Sequence, residues 1–201
     1  MSGMTANFRA HRLCLSFLTL IGVALFSASA DELSLVEFDS KEDGNMRWRV
    51  VNDGVMGGLS KGQVSRSRDG TLTFAGTLSL ENNGGFSSVR TGPLDLDLSG
   101  YSGLAMRVKG DGRTYQVRVG SDARYRWMKV SFKADFATEK GKWTVVRVPF
   151  SEMSGTFRGR DLKDKVLNTS KIERLGLLLA DEKAGPFSLE VDWIRAYGGR
   201  G

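Results

Sequence analysis

The sequence predicts an all-β protein built as a two-sheet antiparallel sandwich or barrel. From Leu33 onward, apolar residues recur mainly with period two, as they do in half-buried strands. Gly, Asp, Asn and Ser separate these segments, and no amphipathic helix of ordinary length interrupts them. Short strands with turn signals between them are typical of sandwiches and barrels, in which each sheet buries one face.

About ten strands are expected from this periodicity. In each of the clearest strands the apolar residues share one parity, so that they point to the same face of a sheet. A single turn of helix over residues 161–166 is the only helical candidate. The residues of common parity are Leu72, Phe74, Leu78 and Leu80; Leu104, Met106 and Val108; Tyr115, Val117 and Val119; Leu175, Leu177 and Leu179; and Phe187, Leu189, Val191 and Trp193.

The turns between strands are also marked in the sequence. Asp69-Gly70 lies between two strand candidates, which is a strong hairpin signal, and Gly110-Asp111-Gly112 predicts a second hairpin. Because proline lacks an N–H donor, it is tolerated at strand ends and in loops. Edge strands are therefore expected among those that carry prolines or charges. The prolines are Pro93, Pro149 and Pro186.

The first thirty residues differ in character from the rest of the 201-residue chain. Arg9 and Arg12 precede an apolar run over 13–26, which is followed by small residues up to Ala30. This is the pattern of a cleaved export signal, and the run is shorter than the ~20 residues that span a bilayer. We therefore expect a signal peptide over 1–30, a single sandwich domain over 31–197 and a disordered tail over 198–201. The expected location is exported, periplasmic or secreted, with a mitochondrial presequence as the alternative.

Cleavage after Ala30 would remove the only histidine, His11, and the only cysteine, Cys14. Without histidine or cysteine, the mature chain could form neither a Ser-His-Asp triad nor a Cys-His pair, and it could hold no His/Cys zinc site and no disulfide. A formal charge of +4 remains once Arg9 and Arg12 are removed from the +6 of the whole chain. Such a mild charge indicates no particular class of partner.

Two glycine-dense segments, over 52–60 and 82–86, are the strongest candidates for functional loops. One interpretation is a contact surface for a ligand or partner, with exposed backbone N–H groups and an adaptable methionine. The other is a structural turn, with Asp53 capping backbone amides and Met56 filling one end of the sandwich. The candidate contact residues are Asp53, Met56, Gly57, Gly58, Ser60, Asn82 and Asn83.

A basic and aromatic segment runs over 113–133 and adds Arg113, Tyr125 and Trp127 to the candidate contacts. The same composition serves nucleic-acid binding on an exposed sheet face. An export signal argues against nucleic acid as a partner. If Tyr125 and Trp127 face outward, they would form a platform for a sugar ring or an apolar peptide.

Carboxylates are the remaining candidates for general acid and base catalysis, including Asp53, Glu81, Asp111 and Asp192. A glycosidase needs two of them at a defined separation across the scissile bond, and a sequence gives no such distance. Most of these residues lie where turns or caps explain them. No calcium-binding loop of the Asp-x-Asp-x-Asp-Gly type is present, so neither a metal nor a cofactor is expected.

Several motifs in one order resemble those of the complex I intermediate-associated protein family. They are Trp48 with Asn52-Asp53-Gly54-Val55-Met56-Gly57-Gly58-Leu59-Ser60, Phe74-x-Gly76, Asn83-Gly84-Gly85-Phe86 through Arg90, Gly110-Asp111-Gly112-Arg113-x-Tyr115, Trp143 with Val148-Pro149-Phe150, and Asp192-Trp193-Ile194. The resemblance covers nearly the whole predicted mature chain. It implies a galactose-binding-like jelly-roll sandwich and a role in assembling or chaperoning respiratory NADH:ubiquinone oxidoreductase, with no catalytic residues to carry over.

The expected function is therefore a non-enzymatic, protein-binding assembly factor or chaperone-like module. Its expected partner is a protein client such as a respiratory-complex subunit, and it would meet a membrane only through that client. An exported carbohydrate-binding module with a glycan ligand is the alternative. A carboxylate-dependent hydrolase is the third and weakest hypothesis.

Overall fold

A computed structural model describes residues 32–39 and 46–199, and this part of the chain is almost entirely β-structure. Its only helices are three short 3-10 turns, Asp53–Met56, Glu81–Asn83 and Phe150–Glu152. The all-β prediction is therefore confirmed. The thirteen strands are β1 (Leu33–Glu37), β2 (Trp48–Asn52), β3 (Lys61–Arg66), β4 (Leu72–Leu78), β5 (Ser87–Thr91), β6 (Gly103–Lys109), β7 (Thr114–Tyr125), β8 (Met128–Ala137), β9 (Trp143–Pro149), β10 (Ser154–Phe157), β11 (Arg160–Leu162), β12 (Ile172–Leu179) and β13 (Gly185–Tyr197).

The strands form two antiparallel sheets that pack face to face as a jelly-roll sandwich. The first sheet has the order β3-β4-β13-β6-β9, and β1 also pairs with the long strand β13. The second sheet has the order β11-β10-β8-β7-β12-β5-β2. Most neighbours in each sheet are distant in sequence, because the chain crosses repeatedly from one sheet to the other.

The core lies between the sheets and is built from the alternating residues of both. Almost all of the residues with common parity are buried, which confirms the period-two interpretation. Leu80 is an exception because β4 ends at Leu78, and its side chain is 45% exposed. Among the largest fully buried side chains are Tyr115, Phe38, Phe74, Phe132, Leu104 and Met106.

One of the two predicted hairpins is present. Asp69-Gly70 joins the paired strands β3 and β4, and Gly70 has a φ of +75°, which suits glycine. The hairpin predicted at Gly110-Asp111-Gly112 is wrong, because this turn carries the chain from β6 in the first sheet to β7 in the second. The expected helical turn over 161–166 is also absent, since Asp161 belongs to β11.

The prolines and charges predicted to mark edge strands do so in part. Outer strands carry Arg49, Lys61, Pro149 and Arg160, whereas Pro186 is the second residue of the central strand β13. The predicted signal peptide lies outside the described residues. Of the predicted tail, residues 198–199 carry no strand and the last two lie outside the described part. Within the described ranges, no helix has the length and apolar character needed to cross a membrane.

Candidate functional site

The two glycine-dense loops meet at the carboxylate of Asp53. This residue follows β2 directly and is fully buried. Its Oδ1 accepts a hydrogen bond from the backbone N–H of Ser60 at 2.9 Å, and its Oδ2 accepts one from the Ser60 hydroxyl at 2.5 Å. Oδ2 also accepts the backbone N–H groups of Gly85 at 2.7 Å and Phe86 at 3.3 Å. One side chain therefore joins the first loop to the second.

Glycine leaves the space that this carboxylate occupies. A Cβ atom at Gly58 would lie 2.4 Å from Asp53 Cγ, and one at Gly84 would lie 2.7 Å from Asp53 Oδ2. Any larger residue at either position would displace the carboxylate. Close packing around a single buried charge thus explains Gly58 and Gly84, whereas Gly57 and Gly85 have the positive φ that suits glycine.

The pKa of Asp53 reflects two opposing effects. Burial disfavours the ionised carboxylate and would raise its pKa. Hydrogen bonds from Ser60, Gly85 and Phe86 favour the ionised form, and they outweigh burial, so that the pKa lies below its ordinary value. Asp53 is therefore a charged anchor for the two loops at neutral pH.

Acid is expected to weaken this anchor. The pKa of Asp53 is lower in the folded state than in the unfolded chain, so its stabilisation is present above pH ~4 and is lost as the pH falls through the folded-state value. Urea unfolding of the wild type at a series of pH values should show stability falling on acidification. The Asp53→Asn variant should show a shallower fall over the same interval, and parallel curves for the two proteins would contradict the prediction.

The joined loops present a group of apolar side chains to solvent. Val55 is 73% exposed, Met56 62%, Leu59 49% and Leu80 45%. They make up four of the eight large exposed apolar residues in the described part of the chain. Leu59 and Leu80 are each next in sequence to a residue of one hydrogen-bonded pair, Ser60 and Ser79. The Ser79 N–H donates to the Ser60 hydroxyl at 3.0 Å, which brings the two loops together here. We refer to Val55, Met56, Leu59 and Leu80 as the loop patch.

The structure distinguishes between the two interpretations of the first loop, residue by residue. Asp53 caps amides, as the structural interpretation expected, and the Ser60 hydroxyl is occupied by Asp53. The N–H groups of Gly57 and Gly58 bond to Gly54 O and Asp53 O within the turn. Met56 does not fill the end of the sandwich, because it faces solvent. Partner contact by these residues stays a prediction, and Met56 is the one whose side chain is free to make it.

Asn82 and Asn83 lie on the exposed side of the second loop. Both have left-handed backbone geometry, with φ of 54° and 56°, which asparagine tolerates better than most residues. Both side chains are exposed, and neither makes a hydrogen bond within the described residues. They are therefore placed to form a polar border beside Leu80.

Arg113 is engaged within the protein at the same end of the sandwich. Its guanidinium donates to both carboxylate oxygens of Asp181, at 3.0 and 2.5 Å, to the carbonyl of Pro186 at 3.1 Å and to the carbonyl of Lys183. The side chains of Arg113 and Asp181 are only 11% and 8% exposed. Arg113 thereby fixes the 181–186 loop, whose Ala184 and Gly185 line a shallow groove together with Leu80.

Tyr125 and Trp127 do not form a platform of two exposed rings. Tyr125 is half-buried, and its ring centroid lies 5.8 Å from that of Phe157. Trp127 follows in the β7–β8 turn and is 79% exposed. The hairpin of β7 and β8 that carries them does not flank either loop, so the structure does not unite them with Asp53.

Of the carboxylates considered for catalysis, Asp53, Asp111 and Asp192 are occupied by internal contacts, whereas Glu81 is exposed. Asp111 accepts the Tyr115 hydroxyl at 3.1 Å and the Ser188 N–H at 2.8 Å, and Asp192 pairs with Arg107. Across 32–39 and 46–199, no group of three or more His, Cys, Asp or Glu residues is arranged to hold a metal ion.

Sequence reasoning missed the exposure of Val55, Leu59 and Leu80. A signal for two of them was present, since Val55 and Leu59 lie in a glycine-rich loop outside any alternating pattern. Leu80 continued the parity of β4 and gave no such signal.

Comparison with known proteins identifies relatives along most of the chain. The family model for complex I intermediate-associated protein 30 matches residues 36–191. A mouse (Mus musculus) protein named "Complex I intermediate-associated protein 30, mitochondrial" is 30% identical over 181 residues, covering 80% of this chain and 55% of the mouse protein. The Drosophila melanogaster protein of the same name is 24% identical over 170 residues, covering 74% and 57% respectively. The chain therefore spans little more than half the length of these relatives.

Solved structures with the same architecture include carbohydrate-binding modules. The family 11 module of the Clostridium thermocellum cellulase Lic26A-Cel5E superposes with a TM-score of 0.62 at 16% identity, covering 86% of this chain and 97% of the module. A family 30 module gives a TM-score of 0.55 at 13% identity, covering 85% and 89%. At these identities the likeness shows the fold alone, and it confirms the predicted two-sheet antiparallel sandwich.

The family match runs from β1 to β13 and includes both loops joined at Asp53. It confirms the resemblance drawn from the Asp-Gly-Val-Met-Gly-Gly and Asn-Gly-Gly-Phe motifs. The chain belongs to the complex I intermediate-associated protein 30 family.

Proposed function

We propose that this protein is a non-enzymatic assembly factor, or chaperone-like module, that binds a protein client of respiratory complex I through the loop patch. Family membership supports the association with complex I, because the named relatives are complex I intermediate-associated proteins. The observation that carries the contact surface is the exposure of four apolar side chains on loops anchored by one buried carboxylate.

The physical properties of the loop patch suit protein binding. An apolar centre with a polar border is the usual anatomy of a protein interface, and Asn82 and Asn83 lie on such a border. The hydrogen bonds to Asp53 hold both loops in place before binding, which reduces the entropy lost on association. The thioether of Met56 adapts to uneven partner surfaces.

Binding without catalysis is supported by the chemistry of the described residues. They contain neither His nor Cys, since the only examples are His11 and Cys14. Asp53, Asp111 and Asp192 are held in hydrogen bonds or ion pairs, which leaves no free pair of carboxylates among these three.

Replacing the loop patch with polar residues is expected to lower the amount of assembled complex I. In a strain that depends on this protein, the combined variant Val55→Ser, Met56→Ser and Leu59→Ser should bind its client at least about tenfold more weakly, because interface anchors commonly contribute more than 1 kcal/mol each. Native gel electrophoresis of the membrane complexes would measure the assembled fraction.

Trp127→Ser is the matched control for this experiment, because it removes an exposed apolar side chain from outside the loop patch. It should leave assembly unchanged. Both variants should retain the wild-type melting temperature, since exposed positions contribute little to stability. Normal assembly with the loop-patch variant, or an equal loss with Trp127→Ser, would overturn the proposed contact surface.

The alternative function, an exported carbohydrate-binding module, stays a prediction. Of the two aromatic residues proposed as a sugar platform, only Trp127 is exposed, since Tyr125 packs against Phe157. The location of the protein depends on residues 1–30, which lie outside the described part. The mitochondrial names of the mouse and fruit-fly proteins support the mitochondrial alternative over export. Cell fractionation of a reporter fused to residues 1–30 distinguishes the two locations.

A further inference from the structure

The outer face of the second sheet carries a straight row of cations. Arg49 on β2 is the register partner of Arg90 on β5, and Arg90 is the partner of Gly176 on β12. Gly176 is in turn the partner of Arg118 on β7, which pairs with Lys133 on β8. Five neighbouring strands thus contribute four basic residues at one level, with a glycine at the centre. We call Arg90, Arg118 and the nearby Arg174 the arginine cluster.

A cleft of about 180 Å³ opens above this glycine and is lined by all three arginines of the cluster. Adjacent strands lie about 4.8 Å apart, so Arg90 and Arg118 start about 10 Å from each other on either side of Gly176. A Cβ atom at Gly176 would lie 3.2 Å from Arg90 Cβ and 2.9 Å from the Val89 carbonyl oxygen. The absence of a side chain at Gly176 therefore keeps the floor of the cleft open.

No carboxylate of the described residues forms a salt bridge with the arginine cluster, although Glu173 also lines the cleft. On the outer face of the first sheet, basic residues are paired with acids, as in Arg107 with Asp192 and Lys109 with Glu190 at 2.9 Å. In the described part of the second sheet, none of the three cluster arginines has a carboxylate within salt-bridge distance. The lysines beside them are paired, Lys133 with Asp161 at 3.2 Å and Lys129 with Glu173 at 2.6 Å.

The cluster arginines instead have only partial hydrogen bonding. Arg90 donates to the Ser88 hydroxyl at 3.0 Å, and Arg118 donates to Gln116 Oε1 at 2.9 Å. The Nε of Arg174 is buried and has no hydrogen-bond acceptor. Buried donors are normally satisfied, so this atom indicates an acceptor that the protein itself does not supply.

The charges of the cluster repel one another in a partly buried setting. Burial, followed by repulsion from Arg90, lowers the pKa of Arg118 to about 10. Burial and the charges of Arg174 and Arg49 likewise lower the pKa of Arg90. Both of these guanidinium groups remain charged at neutral pH. The charge of Asp135 acts in the opposite direction on the pKa of Arg118 and offsets only part of this lowering. Like charges held together at a cost, without a salt-bridged counterion, are a feature of binding sites for oppositely charged ligands.

We propose that this cleft binds the phosphate group of a small molecule, with the guanidinium groups of Arg90, Arg118 and Arg174 as its hydrogen-bond donors. A carboxylate carries one negative charge, whereas a phosphate ester carries close to two and offers three strong acceptor oxygens, which matches three unpaired guanidinium groups better. The size of the cleft favours a small molecule over a polymer. The site lies on the sheet face, away from the loop patch, and does not depend on the proposed assembly function.

Pyrophosphate is a suitable probe for this site. Calorimetric titration of the purified protein should show saturable binding of inorganic pyrophosphate, and the melting temperature should rise with its concentration. Acetate at the same ionic strength tests whether a single carboxylate is enough, and NaCl tests whether general screening is enough. Neither salt should raise the melting temperature as pyrophosphate does. No binding of pyrophosphate, or an equal effect of NaCl, would overturn the proposal.

Single substitutions assign the binding to the arginine cluster. Arg118→Gln and Arg174→Gln should each weaken pyrophosphate binding at least about tenfold, as expected for the loss of a charged hydrogen-bond donor. Arg107→Gln on the opposite face is the control and should bind normally. Without pyrophosphate, Arg118→Gln should melt at or above the wild-type temperature because repulsion is relieved. A lower melting temperature together with unchanged binding would give Arg118 a structural role and overturn the proposal.

Discussion

Asp53→Ala is expected to lower the free energy of unfolding by about 3 to 5 kcal/mol. The carboxylate accepts hydrogen bonds from three backbone N–H groups and one hydroxyl. Alanine removes the acceptor that the three N–H groups share and leaves those of Gly85 and Phe86 in a partly buried position, whereas the Ser60 hydroxyl can still donate to the Ser79 carbonyl at 3.2 Å. Because leaving one buried donor without a partner costs about 1 to 3 kcal/mol, this loss is among the largest expected for a single substitution in the chain.

Chemical denaturation measures this change directly. Asp95→Ala is the matched control, because Asp95 is an exposed carboxylate that accepts no hydrogen bond within the described residues. Its effect should stay within about 0.5 kcal/mol. The prediction fails if the two alanine variants are equally stable.

The same substitution should loosen both loops together. Amide hydrogen exchange in Asp53→Ala should accelerate at Ser60 and at Gly85, although these residues belong to different loops. Acceleration in one loop alone would contradict the role of Asp53 as their common anchor. The coupling also has a functional consequence, because a disordered loop patch would pay an additional entropy cost on binding its client.

Arg113→Ala has the second large effect, an expected loss of about 3 kcal/mol. The substitution leaves the largely buried carboxylate of Asp181 without its cation and frees the 181–186 loop from three carbonyl contacts. A double-mutant cycle with Asp181→Ala should show that the two losses are far from additive.

Arg107→Ala provides the comparison for this pair. Its ion pair with Asp192 is more exposed, with 41% and 21% of the side chains accessible, so solvent screening should limit its contribution to about 1 kcal/mol or less. Additive losses for Arg113→Ala and Asp181→Ala would show that their contact contributes nothing beyond the separate side chains.

Much of the fold follows from short-range patterns in the sequence. Tyr115 and Leu104 are buried where their parity predicts, because alternate side chains of a strand face opposite sides. The Asp69-Gly70 hairpin is also local, since the turn itself brings β3 and β4 together. The turn over 110–112 shows where such reasoning ends. A reversal signal specifies a bend, whereas the sheet that the next strand joins is decided by packing across the whole domain.

The candidate site was only partly predictable for the same reason. Glycine density singled out both loops, but the bond from Gly85 to Asp53 joins residues 32 positions apart and has no local signal. Leu80 was predicted to belong to a strand, and it is exposed because β4 stops two residues earlier. The arginine cluster forms because the pairing register of three strands places its arginines side by side, and the sequence of any one strand does not reveal this.

Site-specific photo-crosslinking in cells tests the central claim most directly, because it captures the partner of the loop patch without assuming its identity. A photoreactive residue would replace Met56 in one variant and Val166 in another, since both side chains are exposed and only Met56 belongs to the loop patch. Crosslinks from position 56 to complex I subunits or assembly intermediates, identified by mass spectrometry, are expected, with few or none from position 166. Equal yields from the two positions, or products from position 56 that contain no complex I component, would contradict the central claim.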